Sequence, residues 1–342
     1  MISAIVPMRN EEENAEECLL SLKRALEESG EDWEIIVVDD ASHDSTSSIV
    51  RSLGFAKLLR IDMDEKPPEA VGKNYALLKG YAESRGDVLL FMDADVRLSP
   101  YSLRRLLRRF SDVDMLSVSP EQMYGSPWEA SLQPMIFKLL GELYPPEKVA
   151  SPDSRIAAAN GQFILIRREA YEAVGTHRAI LGEVLEDVRL AEMLKRKGFR
   201  ILLLHGRRFG VKARMYRSLD GMVEGWAKNL MLLLRGNVRL GLWYGLWNLF
   251  ESLAGWSLTL SFAAFGDYAM AMGTFLLANL YFAYRFKSHH PFYTLVHSTV
   301  GSALFLYVLH LSYRWYRRGW VMWRGRRYSL DRASLKRRST SS

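Results

Sequence analysis

The chain has 342 residues, 49% hydrophobic and 25% charged, which excludes a disordered chain and a single small domain and suggests about two units. A mean hydropathy of −0.09 excludes a chain that is mostly membrane. Residues 1–210 hold 28 Lys and Arg against 34 Asp and Glu, net −6, whereas residues 211–342 hold 18 against 5, net +13. The basic end is also the apolar end, a pairing that points to a membrane surface and not to nucleic acid. Cys18 is the one cysteine, so intramolecular disulfides and cysteine-based zinc sites are excluded. The opening Met1-Ile2-Ser3-Ala4-Ile5-Val6 has no basic leader, and no signal peptide is expected.

In chain order, Ser3 to Pro7 is an apolar run that reads as a strand. Asn10 and Glu13 are spaced to cap a helix whose face is Ala15, Leu19, Leu22 and Leu26. Glu34 to Val38 is a second strand, ending on Asp39-Asp40, and Asp44 is placed to cap the helix that follows. Residues 57–61 predict a strand, 73–84 a helix and 87–92 a strand that runs into Asp93-Ala94-Asp95. Strands are also expected at 114–118, 161–166 and 200–204, and helices at 128–143 and 187–198. Gly198, after Lys195-Arg196-Lys197, marks that last helix's end. Residues 219–235, with Trp226, read as an amphipathic segment for a membrane interface. Apolar segments follow at 240–266 (holding Glu251), 268–284 and 291–313. The tail, 314–342, carries ten Lys and Arg. The alternation predicts an α/β fold with a mixed, mainly parallel sheet, whose ligand lies beyond the strands' carboxyl ends, followed by a helical membrane region.

Both acidic clusters fall at such ends. Asp93 and Asp95, one residue apart, can approach one hard cation, Mg2+ or Mn2+, or be two solvated turn residues. Asp39 and Asp40 can accept hydrogen bonds from a nucleobase or ribose, or act as caps. Glu186-Asp187 supply a general base on a rigid helix, or complement that helix's dipole. Arg214 and Arg217, three apart, suit a diphosphate clamp on one helical face, or a lipid-facing surface. Lys73 opens a helix, where a cation is unfavourable, and so hints at contact with an anion. His205, at a strand end, is a lesser candidate for a metal ligand.

Seven short motifs occur in order: Val-Pro-Met-Arg-Asn-Glu-Glu (6–12), Val-Val-Asp-Asp-Ala-Ser-His-Asp (37–44), Gly-Lys-Asn-Tyr-Ala-Leu (72–77), Phe-Met-Asp-Ala-Asp-Val (91–96), the run 160–171 that begins Asn-Gly-Gln-Phe, Leu-Glu-Asp-Val (185–188) and Arg-Met-Tyr-Arg-Ser (214–218). Together they resemble glycosyltransferase family 2, of GT-A fold. The order is similar to that of the membrane-associated group of hopene-associated and carotenoid glycosyltransferases and, more distantly, ceramide glucosyltransferases. The resemblance spans residues 1–235 and extends loosely to Trp323-Arg324-Gly325-Arg326.

That resemblance implies inverting transfer from a nucleotide diphosphate sugar to a membrane lipid. It makes Asp187, with Glu186, the catalytic pair. It assigns Asp95 and Asp93 to a divalent cation. Donor contacts fall to Pro7, Glu11, Asp39, Asp40, Lys73, Asp93, Arg214 and Arg217. Leu185 and Ser218 depart from the Thr and Trp of processive members and favour addition of one sugar. A nucleotidyltransferase and a non-catalytic membrane-anchored protein are the rival readings. The expected layout is a catalytic domain at 1–213, an interface segment at 214–239, membrane helices at 240–313 and a cytoplasmic tail at 314–342. A multi-pass protein of the cytoplasmic membrane is expected, its catalytic domain cytoplasmic. Basic residues Arg285 and Lys287 and the basic tail favour two or four crossings over three.

Overall fold

The computed structural model describes residues 1–68, 70–286, 293–323 and 325–330. Lys287, Arg324 and residues 331–342 of the tail lie outside the described residues. The chain forms two compact units: Met1–Met123 with Tyr144–Met215, and Tyr124–Leu143 with Tyr216–Ser342. Residues 124–143, expected in the catalytic domain, thus belong to the second unit.

In the first unit the chain runs β1 (Ile2–Met8), α1 (Ala15–Glu27), β2 (Trp33–Asp40), α2 (Thr46–Leu53), β3 (Lys57–Ile61), α3 (Gly72–Ala82) and β4 (Val88–Met92). There follow β5 (Val96–Leu98) and α4 (Ser102–Phe110), β6 (Met115–Ser119) and β7 (Glu121–Gln122), of which only β6 was expected. After α5 (Pro127–Leu143), part of the second unit, come α6 (Pro146–Ala150), β8 (Phe163–Arg167), α7 (Arg168–Ala173), α8 (Glu186–Arg196), β9 (Ile201–His205) and β10 (Val211–Ala213).

Seven strands make one sheet in the order β3-β2-β1-β4-β8-β6-β9. β1 is parallel to β2 and β4, whereas β8 is antiparallel to both β4 and β6. The central strands read as unbroken apolar runs because both faces are covered: Ile5, Val37, Leu90 and Leu165 are all fully buried. β5, β10 and β7 form a small second sheet. One strand direction matters most for function. Because β8 runs against β4, with Met92 opposite Phe163, the residues just before β8 arrive at the carboxyl edge beside Asp93.

The expected helix cap at Asn10 and Glu13 does not form. Asn10 takes a left-handed conformation and α1 begins after Asn14. The polar groups of that loop serve the loop after β2 instead. Asn10 Oδ1 accepts from the His43 amide at 3.0 Å, and the Glu11 amide donates to Thr46 Oγ1 at 2.8 Å. Asp44 does hold the start of α2, accepting from the Thr46 amide at 3.0 Å. Gly198 ends α8 with φ 85°, as its sequence position predicts.

The second unit contains α5, α9 (Leu219–Leu233), α10 (Val238–Ala264), α11 (Tyr268–Phe286), α12 (Thr294–Arg318) and a hairpin of β11 (Trp320–Trp323) and β12 (Arg326–Ser329). Trp226 is 3% exposed and packs against Phe137 and Tyr216. It is a core residue of this unit and not the interface anchor the sequence suggested. Small residues let the helices close up: a Cβ at Gly301 of α12 would sit 2.2 Å from the Ser131 carbonyl oxygen of α5. Glu251 of α10 pairs with Arg285 of α11 at 3.2 Å and accepts from Tyr281 Oη at 2.9 Å, a link between two helices and not part of a polar path. Among the described residues one helix, α12, is long and apolar enough to cross a membrane, and 44% of its apolar stretch is packed inside the protein. The structure therefore does not carry the multi-pass expectation. Trp, Tyr, Asn and ionic side chains dilute α10 and α11, although Trp243, Trp247, Phe250, Leu277 and Tyr284 are exposed along them.

Candidate active site

Asp93 and Asp95 lie immediately after β4, and three other segments converge on them. The amide of Asp93 donates to Gln162 O at 3.0 Å, which fastens the turn after β4 to the loop before β8. Gln162 Nε2 donates to Asp95 Oδ2 at 2.9 Å. Asn160 shapes that loop, its Oδ1 accepting from the Gln162 amide at 2.9 Å and its own amide donating to Ser117 Oγ at 2.7 Å.

Lys73, in the first turn of α3, is the hub. Its ammonium lies 2.8 Å from Asp93 Oδ1 and 2.9 Å from Oδ2, 3.1 Å from Glu186 Oε1 and 3.1 Å from Gly161 O. The anion predicted for this out-of-place lysine is the protein's own pair of carboxylates. Burial works against its charge, but Asp93 and Glu186 hold its pKa above the usual lysine value. Asp187, at the start of α8, accepts from the Gly161 amide at 2.7 Å and from the Val188 amide at 2.7 Å. Burial, reinforced by the charge of Glu186, pushes Asp187 up to about 6. Gly161 is where the cluster is tightest. A Cβ there would meet Lys73 Nζ at 2.9 Å, Glu186 Oε1 at 3.0 Å and Asp187 Oδ2 at 3.3 Å.

Asp95 differs from its neighbour. Its Oδ1 is buried and makes no hydrogen bond, and burial together with Asp93 and Glu11 raises its pKa to about 7. A buried carboxylate oxygen without a donor, beside further carboxylates, fits a divalent cation. No three His, Cys, Asp or Glu side chains form a complete cation site among the described residues. The donor set thus suits a hard cation that completes its shell with phosphate oxygens and water.

The remaining candidates are more scattered. Asp39 is fully buried, its Oδ1 accepting from the Ser42 amide at 3.0 Å and its Oδ2 from Ser47 Oγ, so it holds the turn after β2 from inside. Asp40 pairs with Lys66 and, at 3.9 Å, with Arg9. Glu11 Oε2 accepts from Asn14 at 2.8 Å, and Pro7 sits within β1 opposite Val38. The amide of Arg214 is 3.4 Å from Asp95 O, which brings it to the turn after β4. Arg217 is exposed and belongs to the second unit. The two arginines do not share a helical face, because residues 214–218 are not helical and α9 starts at Leu219, capped by Ser218. His205 ends β9, exposed, opposite Ser119.

A mixed sheet with an Asp-Ala-Asp turn at one strand end, a lysine hub and an acidic pair at a helix start is the setting for the comparison with known proteins. Residues 3–175, just over half of the chain, match the family described as Glycosyl transferase family 2. The chain belongs to this family. It is a glycosyltransferase of GT-A fold, and the nucleotidyltransferase and non-catalytic readings fall away. A 4,4'-diaponeurosporenoate glycosyltransferase from Staphylococcus haemolyticus (strain JCSC1435) is 29% identical over 67% of this chain and 60% of its own length. A dolichol-phosphate mannosyltransferase from Pyrococcus furiosus is 28% identical over 71% of this chain and 64% of its own. The glycosyltransferase thus spans somewhat less than two thirds of these relatives. The solved structure of a mannosyltransferase from Pyrobaculum calidifontis in complex with GDP-Man and Mn2+ shares the fold, with a TM-score of 0.50 and 16% identity over 92% of this chain and 87% of that one.

Gly161, Gln162 and Asn74 have no assigned role in the sequence reading, although all three stand in motifs it uses. The Asn-Gly-Gln run before an apolar strand was the visible trace of Gly161 and Gln162, and the Gly-Lys-Asn run at 72–74 that of Asn74.

Proposed function

We propose that this glycosyltransferase moves one sugar from a nucleotide diphosphate sugar to a membrane lipid, with inversion at the anomeric carbon. The observation that carries the reading is the convergence of Lys73, Glu186 and Asp187 on the glycine at 161, with Asp93 held by the same lysine, beside the unpaired Asp95 oxygen. Asp187, ionised at neutral pH with a pKa near 6, takes the proton of the acceptor hydroxyl. The acceptor oxygen bonds to the anomeric carbon as the bond from that carbon to the diphosphate oxygen breaks on the opposite face. Glu186, fixed by Lys73, keeps a second negative charge near Asp187 and so maintains its basicity. Asp95 and Asp93 would hold Mg2+ or Mn2+, and that cation would neutralise charge growing on the leaving diphosphate. Arg214, next to the same turn, is placed to add a forked donor to the diphosphate. Asp40, Glu11 and Pro7 line the edge assigned to the nucleoside.

The lipid acceptor rests on the second unit's apolar helix α12, the exposed aromatics of α10 and α11, and the basic C-terminal charge. The relatives named for diaponeurosporenoate and dolichol phosphate support it. The cytoplasmic membrane, with the first unit on the cytoplasmic side where nucleotide sugars are found, is the corresponding location. The test is a panel of UDP-, GDP- and TDP-sugars, radiolabelled in the sugar, offered with extracted membrane lipids or with soluble sugars and proteins. Label in the lipid phase is expected with one donor. Label confined to aqueous products overturns the lipid assignment.

A further inference from the structure

The acidic pair Glu186-Asp187 opens α8, yet no side chain before the helix caps it, and its first turn relies on Asp187 itself, whose Oδ1 accepts from the Val188 amide at 2.7 Å. The residue before the helix, Leu185, offers no cap, and its backbone at φ −105°, ψ 68° is neither helical nor extended. A helix start without a cap frays easily, because its first amides lack partners. A carboxylate on that first turn would then wander by more than a general base tolerates. Something outside α8 must fix it.

The fixing group is one side-chain amide on α3. Asn74 is fully buried. Its Nδ2 lies 3.0 Å from Ile180 O, 3.1 Å from Leu181 O and 2.8 Å from Glu183 O. Three carbonyls of the loop that leads into α8 thus turn inward onto a single donor. The Val71 amide adds a second tie, donating to Leu181 O at 2.9 Å. The neighbouring side chain, Lys73, holds Glu186 itself at 3.1 Å. The first turn of α3 therefore grips the approach to α8 by its backbone and the acids by their side chains. Asn74 Oδ1 makes no hydrogen bond, so the donor end alone accounts for the polar contacts of this buried amide.

We propose that Asn74 is a positioning residue for the acidic pair: it sets where Asp187 stands by clamping residues 180–183, and it touches no reacting atom. The inference rests on the reading of Asp187 as the base. An alanine at 74 removes the donor that three carbonyls share, leaves Ile180 O with the Glu183 amide and Leu181 O with the Val71 amide as backbone partners, and so loosens the loop. A displacement of the order of 1 Å at a catalytic group lowers turnover by about a hundredfold. Asp39, Asp40 and Glu11, assigned to the donor, make none of the clamp's hydrogen bonds, so donor affinity stays close to that of wild type.

The experiment compares wild type, Asn74→Ala and Asn74→Asp in the full chain. Asn74→Asp keeps the shape but points a carboxylate at the three carbonyls. Asn74→Ser, which keeps one short donor, serves if alanine prevents folding. Three quantities are read: nucleotide-sugar affinity, kcat for transfer, and amide hydrogen exchange along the chain. The expected result is a kcat lower by ten- to a hundredfold, donor affinity within twofold of wild type, and faster exchange confined to about residues 180–190. Exchange that rises equally in β1 and β4 overturns the proposal and makes Asn74 an ordinary core residue. A kcat within twofold of wild type in either variant also overturns it. Exchange reports on the clamp without any chemistry, so an active Asp187→Asn enzyme would sink the base assignment while leaving the clamp measurable.

Discussion

Replacing Gly161 by alanine adds a single methyl group at the point where the candidate site is most crowded. The backbone accepts it, since Gly161 is not among the residues of positive φ. The new carbon would lie 2.9 Å from Lys73 Nζ and 3.0 Å from Glu186 Oε1, short of the 3.4 Å of ordinary contact by about 0.5 and 0.4 Å. Both are ends of flexible side chains, so the strain is relieved by moving them, and the overpacking penalty stays near the lower end of the usual range, about 1 kcal/mol. Thermal unfolding of a chain of this size should then fall by only about 2–4 °C. Turnover is far more sensitive. A shift of half an ångström in the Lys73–Glu186 pair, with the Gly161–Asp187 bond of 2.7 Å beside it, should lower kcat about tenfold, equivalent to about 1.4 kcal/mol of barrier. Radiolabel transfer and a melting curve on the same preparation check both numbers. A Gly161→Ala enzyme with turnover within twofold of wild type would show that the convergence at residue 161 is packing alone. A melting temperature lower by more than about 10 °C would show that the methyl group disrupts the sheet and not the site.

Asp187→Asn should lower the transfer rate by about 10²-fold or more with little change in melting temperature, and retention of activity would reduce Asp187 to a helix-start residue. The wild-type rate should rise with pH through about 6 and level off above it, because the base must be ionised; a profile flat from pH 5 to 8 contradicts the assignment. The same raised pKa has a stability consequence of defined sign. The neutral form is favoured by folding, so this contribution is present below about pH 4 and lost as pH rises through about 6, a loss that Asp187→Asn should abolish in melting curves. Asp95→Ala, or excess EDTA on the wild type, should abolish transfer, and undiminished turnover in EDTA removes the cation from the reading. Gly301→Ala, which places a methyl group 2.2 Å from a rigid carbonyl of α5, should destabilise the second unit by about 1–3 kcal/mol, read as an earlier unfolding transition.

Much of the first unit was legible because its strands are buried on both faces and so appear as uninterrupted apolar runs. Val37, Leu90 and Leu165 show this, and each is fully buried. The ends were harder to read. Asn10 and Glu13 have capping spacing, but their loop bonds to the next loop across the sheet edge, a tertiary choice that local pattern does not contain. The arginines 104, 105, 108 and 109 of α4 are exposed around a buried Leu103, Leu106 and Phe110, a helix too short and too charged to stand out. Trp226 illustrates the opposite error. A tryptophan on an amphipathic helix beside apolar segments resembles an interface anchor, yet Phe137, 89 residues earlier, packs against it together with Tyr216. Pairing at that separation is a property of the fold and not of the segment.

The site divides along the same line. Asp93, Asp95, Glu186 and Asp187 were visible because carboxylates at strand and helix ends carry recognisable chemistry wherever they occur. Lys73 was visible in its motif and as an anomaly, a cation at the wrong end of a helix, and its partners in the structure are those same carboxylates. Gly161 and Gln162 matter for a reason that no residue type announces. β8 runs antiparallel to β4, so its beginning, and not its end, reaches the carboxyl edge. Were β8 parallel, the Asn-Gly-Gln loop would lie at the far side of the sheet, Asp95 would lose its Gln162 contact and Asp187 its Gly161 amide. One strand direction thus decides whether two acidic motifs nearly a hundred residues apart meet at one edge of the sheet.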